Sequence, residues 1–368
     1  MSKRILLGCY EVPGWGGAST VSYLLFERMQ REGFDVCYIN LVHENDQPFL
    51  RSLFGCNVGN PRSLANVDTC VLEEPLWRAH VNLSRLITSV KPDLLFGFGF
   101  IAARLFQLAM PGLPLVFMTA GSRQLGHLVE TGAIRDFIGF KRRVAEGVRF
   151  PISAAHPERR AAESADLIIV HSPLVRFAFN HFFPTCTGKI YASDISVADL
   201  IYPEVETYAC LDLPWGKRDI DVLFIASRWN RPEKNQRLMK KIISRCRGLN
   251  LHVVGSMDGP CPGAQQHGVI AVRRDLFELL GRSKTLVCPS ALDAAPGILF
   301  EASGMGCNVI ASRNCGNWQL CNEELLADNN SPQAFLSKIE RSLAQPYKDN
   351  QDQFRGGYKD LVETLSVM

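Results

Sequence analysis

The feature that most constrains the fold is an alternation of short apolar runs with helix-length segments. Residues 4–10, RILLGCY, have the length of a strand, helical spacing of apolar residues follows from Val21 to Met29, and residues 31–42 supply a turn and a second apolar run. This order is typical of a strand–helix–strand unit with parallel strands. The later runs DLLFGF, LPLVFMT and ADLIIVHS, with helix-length segments between them, predict a doubly wound sheet.

The same alternation restarts in the second half of the chain. A less regular stretch over 186–218 separates the halves, and DIDVLFIAS, LNLHVVGS, TLVCPS and CNVIAS then read as strands with helices between them. A chain of 368 residues is also too long for one ordinary core. We therefore predict an α/β chain with Rossmann-like domains over 1–200 and 201–345, and a terminal amphipathic helix over 346–368 that can return to the first domain.

Composition excludes several classes of protein. Forty Lys and Arg balance thirty-seven Asp and Glu, so the chain lacks the basic excess of a nucleic-acid-binding protein. Twelve cysteines occur without a C-x-x-C pair, which favours reduced thiols in a cytoplasmic protein over a zinc site or a disulfide framework. The start is too short for a signal peptide, and the apolar segment 94–118 contains Arg104 and Gln107, so we interpret it as strand, short helix and strand.

A glycine-rich turn follows the first predicted strand. PGWGGAS, with Gly16 and Gly17, opens the first helix, where free backbone N–H groups favour an anion. The G-x-G-x-x-G spacing of dinucleotide sites is absent. Turn geometry alone is an equal explanation of these glycines.

Two cations follow the first strand of the second half. In ASRWNRPEKNQ, Arg228 lies just past the strand and Lys234 at the start of the next helix. Ligands of open α/β sheets bind beyond the carboxyl ends of the strands, and these cations suit a diphosphate there. The alternative is a solvated loop that carries two charges.

Two carboxylates bracket a Pro-Gly corner in CPSALDAAPGILFEASGMGCNVIAS, residues 288–312. Asp293 is predicted in a loop and Glu301 about one turn inside a helix. Carboxylates accept paired hydrogen bonds from vicinal hydroxyls, which suits a sugar or a ribose. Alternatively, both acids serve only local turns and pairs, although an ionised Glu in so apolar a stretch is costly without a partner.

Together these stretches resemble the retaining GT-B-fold glycosyltransferases with an E-x7-E signature (group 1, or family 4). The resemblance covers most of the chain and is carried by PGWGGAS with its helix, ADLIIVHSPLVRFAF, IASRWNRPEKN and VCPSALDAAPGILFEASGMGCNVIAS. It implies two Rossmann-like domains with a donor cleft between them. The implied reaction moves a hexose from a nucleotide sugar, UDP- or GDP-linked, to an acceptor hydroxyl with retention at the anomeric carbon.

The resemblance also implies roles for residues. The catalytic set is Arg228 and Lys234, which hold the diphosphate, with Asp293 at the transferred sugar. Glu301 binds the ribose hydroxyls, and the backbone of Gly16 and Gly17 contacts the leaving group or sugar. Val272 and Arg273 are expected beside the nucleobase. The remaining expected donor contacts come from the backbone of Pro296, Gly297 and Ile298. No metal, cofactor or side-chain nucleophile is implied, since the leaving diphosphate itself helps remove the acceptor proton.

Three departures from the family pattern stand out. Asp293 replaces the usual Glu, and Thr119-Ala120-Gly121 stands where many members carry a sugar-contacting His, so we expect Thr119 or Ser122 as substitutes. The usual Pro-Asn-Gly turn before the second domain is also missing. The alternatives are therefore a donor-binding protein without turnover and another GT-B enzyme such as a sugar-nucleotide epimerase.

The acceptor carries no recognisable signature, and a saccharide, a lipid-linked glycan or a small molecule all fit. A basic run over 135–160 is compatible with peripheral contact at the inner face of a membrane, although a solvated helix face is the commoner explanation. His171, at a predicted strand end, is a further candidate for a sugar or acceptor contact, with an ordinary core histidine as the alternative.

Overall fold

The structure is a computed structural model and describes residues 3–10, 17–43, 67–72, 80–119, 121–153, 155–192, 197–347, 361 and 364–365. The chain forms two compact units. The first unit comprises Met1–Ser122, Phe150–Ser193 and Asp360–Met368, and the second unit comprises Arg123–Arg149 and Asp194–Lys359.

The first unit is built on a parallel sheet. Its strands lie in the order β3-β2-β1-β4-β5-β6-β7 and are β1 (Arg4–Tyr10), β2 (Asp35–His43), β3 (Val67–Leu72), β4 (Leu94–Phe98), β5 (Leu115–Thr119), β6 (Leu167–Val170) and β7 (Ile190–Ala192). Its helices are α1 (Gly17–Arg31), α2 (His80–Val90), α3 (Phe100–Ala109), α6 (Pro157–Ser164) and α7 (Pro173–Phe182). Every residue of β4 and β5 is buried, as expected of strands that are covered on both faces.

The second unit contains a smaller parallel sheet of the same kind. Its strand order is β10-β9-β8-β11-β12, with β8 (Ile220–Arg228), β9 (Leu251–Ser256), β10 (Gln265–Gln266), β11 (Ser283–Val287) and β12 (Asn308–Ile310). Its helices are α4 (Arg123–Glu130), α5 (Phe137–Ala145), α8 (Val197–Thr207), α9 (Gln236–Ile243), α10 (Arg273–Gly281), α11 (Gly297–Gly304) and α12 (Pro332–Ala344). One core cluster centres on Phe224 and Phe335, both fully buried.

The apolar segment 94–118 forms strand, helix and strand, which confirms the interpretation made from its sequence. It supplies β4, α3 and nearly all of β5. Among the helices of the described residues, none combines the length and the apolar character that crossing a membrane requires.

The second unit is discontinuous in sequence. The second unit already begins again at Asp194, and the stretch 123–149 belongs to it although the first unit surrounds that stretch in sequence. The backbone N–H of Phe137 donates to the carbonyl of Ala291 over 3.2 Å, and that of Ile138 donates to the side chain of Asn314 over 2.9 Å. These bonds join residues more than 150 positions apart, so no local pattern reports them.

Helix α5 carries much of the basic run. Phe137 and Phe140 are buried, whereas Arg135, Lys141 and Arg142 are exposed. Asp136 caps the helix by accepting a hydrogen bond of 2.8 Å from the N–H of Gly139. The predicted terminal helix over 346–368 lies largely outside the described residues.

Candidate functional site

The predicted charged residues of the second unit follow neighbouring parallel strands. Strand β8 ends at Arg228, and β11, beside it in the sheet, ends at Val287. The segments that follow them bond to each other, since the N–H of Ala291 donates to the carbonyl of Glu233 over 2.8 Å. The amide of Asn235 adds a hydrogen bond of 3.3 Å to the carbonyl of Pro289. This edge of the sheet is where ligands of open α/β sheets bind.

Lys234 and Asp293 form an ion pair at this edge. The ammonium group of Lys234 donates a short hydrogen bond to the carboxylate of Asp293, and the two side chains are 21% and 13% exposed. Burial lowers the pKa of Lys234, but the neighbouring charge of Asp293 and the hydrogen bond outweigh it, so the net pKa is raised. Lys234 is therefore a firmly held cation at neutral pH.

The backbone also fixes the position of Asp293. Its N–H donates to the carbonyl of Asn314 over 3.0 Å, and its own carbonyl accepts from the N–H of Gly316 over 2.8 Å. The loop after β11 is thereby tied to the segment after β12, and the carboxylate of Asp293 is held by main-chain geometry as well as by Lys234.

Glu301 belongs to a second charged group. Its carboxylate accepts a hydrogen bond of 2.7 Å from Arg273, and Arg273 also bonds both carboxylate oxygens of Glu204, over 3.0 and 2.8 Å. Burial lowers the pKa of Arg273, but the charges of and hydrogen bonds to Glu301 and Glu204 raise it more, so its net pKa is raised. We call Glu204, Arg273 and Glu301 the carboxylate–arginine cluster.

Two glycines allow the helices of this cluster to approach closely. A Cβ atom at Gly297 would lie 2.9 Å from Cδ1 of Ile201, and one at Gly304 would lie 2.7 Å from Cγ1 of Val205. Both distances are shorter than ordinary contacts allow. Helices α8 and α11 thus approach each other closely at these glycines. Glu204, next to Val205, therefore lies within reach of Arg273, which also binds Glu301.

The N-terminus of α11 presents the predicted backbone groups. Pro296 precedes the helix, and its carbonyl accepts a hydrogen bond of 3.1 Å from Asn317. Gly297 and Ile298 form the first turn, whose N–H groups have no intrahelical acceptor and therefore favour an anion. Ile298 is half-buried, and Val272, before α10, is 56% exposed.

The structure brings predicted residues together in two pairs, Lys234 with Asp293 and Arg273 with Glu301. Arg228 lies half-buried at the end of β8, opposite Ser256 of β9. Glu204 is the residue that sequence reasoning missed, because its neighbourhood reads as an interdomain connection. Its one local signal is a carboxylate on the otherwise apolar stretch LIYPEV.

The candidates of the first unit have a different character. Gly16 lies outside the described residues, and Gly17 begins α1 in an exposed position where an added Cβ would meet nothing within 4 Å. The hydroxyl of Thr119 donates a hydrogen bond of 2.7 Å to the carbonyl of Gly121 and accepts one of 3.0 Å from the N–H of Gly121. Ser122 donates to the fully buried Glu158 over 3.4 Å.

His171 follows β6, beside the end of β5. Burial lowers its pKa to about 4, so the imidazole is neutral at pH 7. Its Nδ1 is buried, and within the described part of the chain it has no hydrogen-bond partner. Of the same described residues, no three or more His, Cys, Asp or Glu side chains are grouped to hold a metal ion.

Comparison with solved structures places the whole chain in one architecture. Sucrose-phosphate synthase from Thermosynechococcus elongatus shares 17% identity at a TM-score of 0.65, over 99% of this chain and 97% of its own. Anabaena HepE, solved in complex with UDP-glucose, shares 13% at 0.58, over 99% and 100%. UDP-GlcNAc 2-epimerase from Methanocaldococcus jannaschii shares 10% at 0.56, over 99% and 100%. At these identities the likeness shows the fold, which is the GT-B fold.

Sequence comparison finds a family match within the second unit. Residues 219–345 match the family described as glycosyl transferases group 1, and no curated protein matches the chain. The GT-B fold of the whole chain and this match over part of the second unit agree with the resemblance that the sequence motifs carry. The matched range contains Arg228, Lys234, Arg273, Asp293 and Glu301, whereas Glu204 lies before it.

Proposed function

We propose that the protein transfers a hexose from a nucleoside-diphosphate sugar to an acceptor hydroxyl, with retention at the anomeric carbon. The observation that carries this proposal is the Lys234–Asp293 pair at the carboxyl edge of the second sheet, where Asp293 lies in the segment that leads from β11 into α11. A cation held next to free backbone N–H groups suits a diphosphate, and a carboxylate beside it suits the hydroxyls of the attached sugar.

Each residue then has one role. Lys234 and Arg228 hold the diphosphate, together with the N–H groups of the first turn of α11. Asp293 binds hydroxyls of the transferred sugar. Glu301 binds the hydroxyls of the ribose, and the exposed Val272 contacts the nucleobase.

The chemistry needs no side-chain nucleophile. The bond between the anomeric carbon and the phosphate oxygen breaks, the acceptor oxygen bonds to the same face of that carbon, and the acceptor proton passes to a phosphate oxygen. Negative charge develops on the diphosphate as the bond breaks. Lys234 is held as a cation by Asp293 and stabilises this charge in place, which is the largest catalytic contribution we assign to the chain.

The donor class is supported by the structural neighbours. HepE is described with UDP-glucose bound, and we propose a UDP- or GDP-linked hexose for this chain. The fold is also that of a UDP-GlcNAc 2-epimerase, so epimerisation is the second activity to be tested. Donor binding without turnover is the third, because Thr119 stands where a sugar-contacting His is usual in the family.

One assay separates these three activities. The purified protein is incubated with UDP-, GDP- and ADP-hexoses and a panel of saccharide, lipid-linked and small-molecule acceptors, and the products are read by NMR. A transferase releases the nucleoside diphosphate and forms an acceptor glycoside with retained anomeric configuration. An epimerase changes the sugar without forming a glycoside, and a binding protein leaves the donor intact. A product of inverted configuration would contradict the proposed mechanism.

A further inference from the structure

Glu204 makes the most extensive contact within the carboxylate–arginine cluster. Two parallel hydrogen bonds of 3.0 and 2.8 Å join its carboxylate to Nε and Nη2 of Arg273. The Glu204 and Arg273 side chains are 13% and 17% exposed. A bidentate pair of this kind fixes the plane of the guanidinium group as well as its position.

A second contact also restricts Arg273. Its guanidinium carbon lies 5.0 Å from the ring centroid of Phe277, one turn further along α10. Nη2, the atom that bonds Glu301, is therefore positioned by Glu204 and by Phe277. Glu301 depends on this atom, because its Oε1 accepts a hydrogen bond of 2.7 Å from it.

The charges of the cluster support the same conclusion. Two carboxylates share one guanidinium group, so the cluster keeps one negative charge while its side chains stay no more than 17% exposed. A buried carboxylate retains spare lone pairs after one hydrogen bond. Glu301 can therefore accept from further donors, and a pair of vicinal hydroxyls supplies two of them.

We propose that Glu204 and Arg273 are positioning residues that hold Glu301 for the ribose hydroxyls, and that they set a preference for ribonucleotides over deoxyribonucleotides. This inference rests on the proposed function. It gives Arg273 a role that differs from the nucleobase contact implied by the family resemblance, because the guanidinium group is already engaged by two carboxylates.

The test compares a nucleoside diphosphate with its 2′,3′-dideoxy form. Binding of UDP, GDP or ADP, whichever the wild type binds most tightly, is measured by calorimetry for wild type, Glu204→Gln, Glu301→Gln and the double variant. Glu204→Gln is expected to weaken binding of the ribonucleotide about tenfold and that of the dideoxy form less than about twofold. The double variant should bind no more weakly than Glu301→Gln alone, since both changes act through one carboxylate.

A matched control comes from an ion pair of the same geometry in the same unit. Asp219 bonds Arg282 through both carboxylate oxygens, over 2.9 and 2.5 Å, and the two side chains are 52% and 37% exposed. Asp219→Asn should leave both affinities unchanged. Glu204→Asp, which keeps the charge, should recover part of the ribonucleotide affinity and replaces Glu204→Gln if that variant does not fold.

Two results would overturn the inference in distinguishable ways. Equal weakening of the ribose and dideoxy forms in Glu204→Gln, or additive losses in the double variant, would remove the positioning role and leave the proposed function intact. Failure of the wild type to bind any of the three nucleoside diphosphates would remove the proposed function, and the inference with it.

Discussion

At the carboxyl edge of the second sheet the side chains are ionised and paired, whereas at the same edge of the first sheet the predicted contacts are uncharged. Lys234 pairs with Asp293, and Arg273 pairs with Glu301 and Glu204. In the first unit, the hydroxyl of Thr119 bonds its own loop, and His171 is neutral at pH 7 because burial lowers its pKa to about 4.

The difference shows why the two edges suit different ligands. Charges in a mostly buried position are costly unless they are paired, and a protein that keeps them there gains a preorganised site for a charged ligand. Neutral donors and acceptors suit a hydroxyl-rich molecule. We therefore propose that the nucleoside diphosphate binds the second unit and that uncharged groups of the first unit recognise the acceptor.

Loss of Lys234 should have the largest effect on activity. Lys234→Ala removes the cation beside the leaving diphosphate and leaves Asp293 unpaired, so we expect sugar transfer to fall by at least about 100-fold. The measurement is the initial rate of nucleoside diphosphate release in the presence of acceptor.

The matched control is Lys284, which pairs with Asp221 over 2.8 Å in the same unit. Lys284→Ala should transfer sugar at nearly the rate of the wild type, because a partly exposed pair distant from the site contributes little. Comparable losses in the two variants would show that the effect of Lys234→Ala is not specific to the site.

A substitution at the packing contact between α8 and α11 should have the next largest effect, on stability. In Gly304→Ala the new Cβ would lie 2.7 Å from Cγ1 of Val205, and we expect the free energy of unfolding to fall by about 1–2 kcal/mol, since overpacking outweighs the better helix propensity of Ala. Denaturant unfolding measures the change. Gly216→Ala is the control, because a Cβ there meets nothing within 4 Å, and equal stability of the two variants would contradict the close packing.

The neutral state of His171 should give a smaller, pH-dependent effect. Its pKa is about 4 in the folded chain against 6.5 for the unperturbed group, so its contribution to stability is complete above pH 6.5 and is lost as the pH falls towards 4. Between pH 7 and pH 5 the wild type should lose about 2 kcal/mol more stability than His171→Leu.

Denaturant unfolding at the two pH values measures this difference. Phe98→Leu, which alters the aromatic neighbour 5.9 Å from His171 without removing a titrating group, should show the acid loss of the wild type. If His171→Leu also shows that loss, His171 is not buried as a neutral group.

The sequence predicts the sheets of both units better than it predicts the contacts of the charged residues. Apolar runs of strand length locate both sheets, because a parallel strand that is buried on both faces consists almost entirely of apolar residues. Asp293, Glu301 and Lys234 stand out because ionised groups near apolar segments require partners. Their partners are less visible. Glu204 reaches Arg273 across 69 positions, and the return of 123–149 to the second unit depends on bonds such as that from Ile138 to Asn314, which no local pattern encodes.

The most direct measurement is a thermal-unfolding screen of the wild type and Lys234→Ala against UDP, GDP and ADP. A ligand that binds only the folded chain raises its stability by mass action, about 2.7 kcal/mol at a hundredfold excess over Kd. We predict that one nucleoside diphosphate raises the melting temperature of the wild type and that Lys234→Ala loses most of this increase. No increase with any of the three, or an equal increase in both proteins, would contradict a diphosphate site at Lys234.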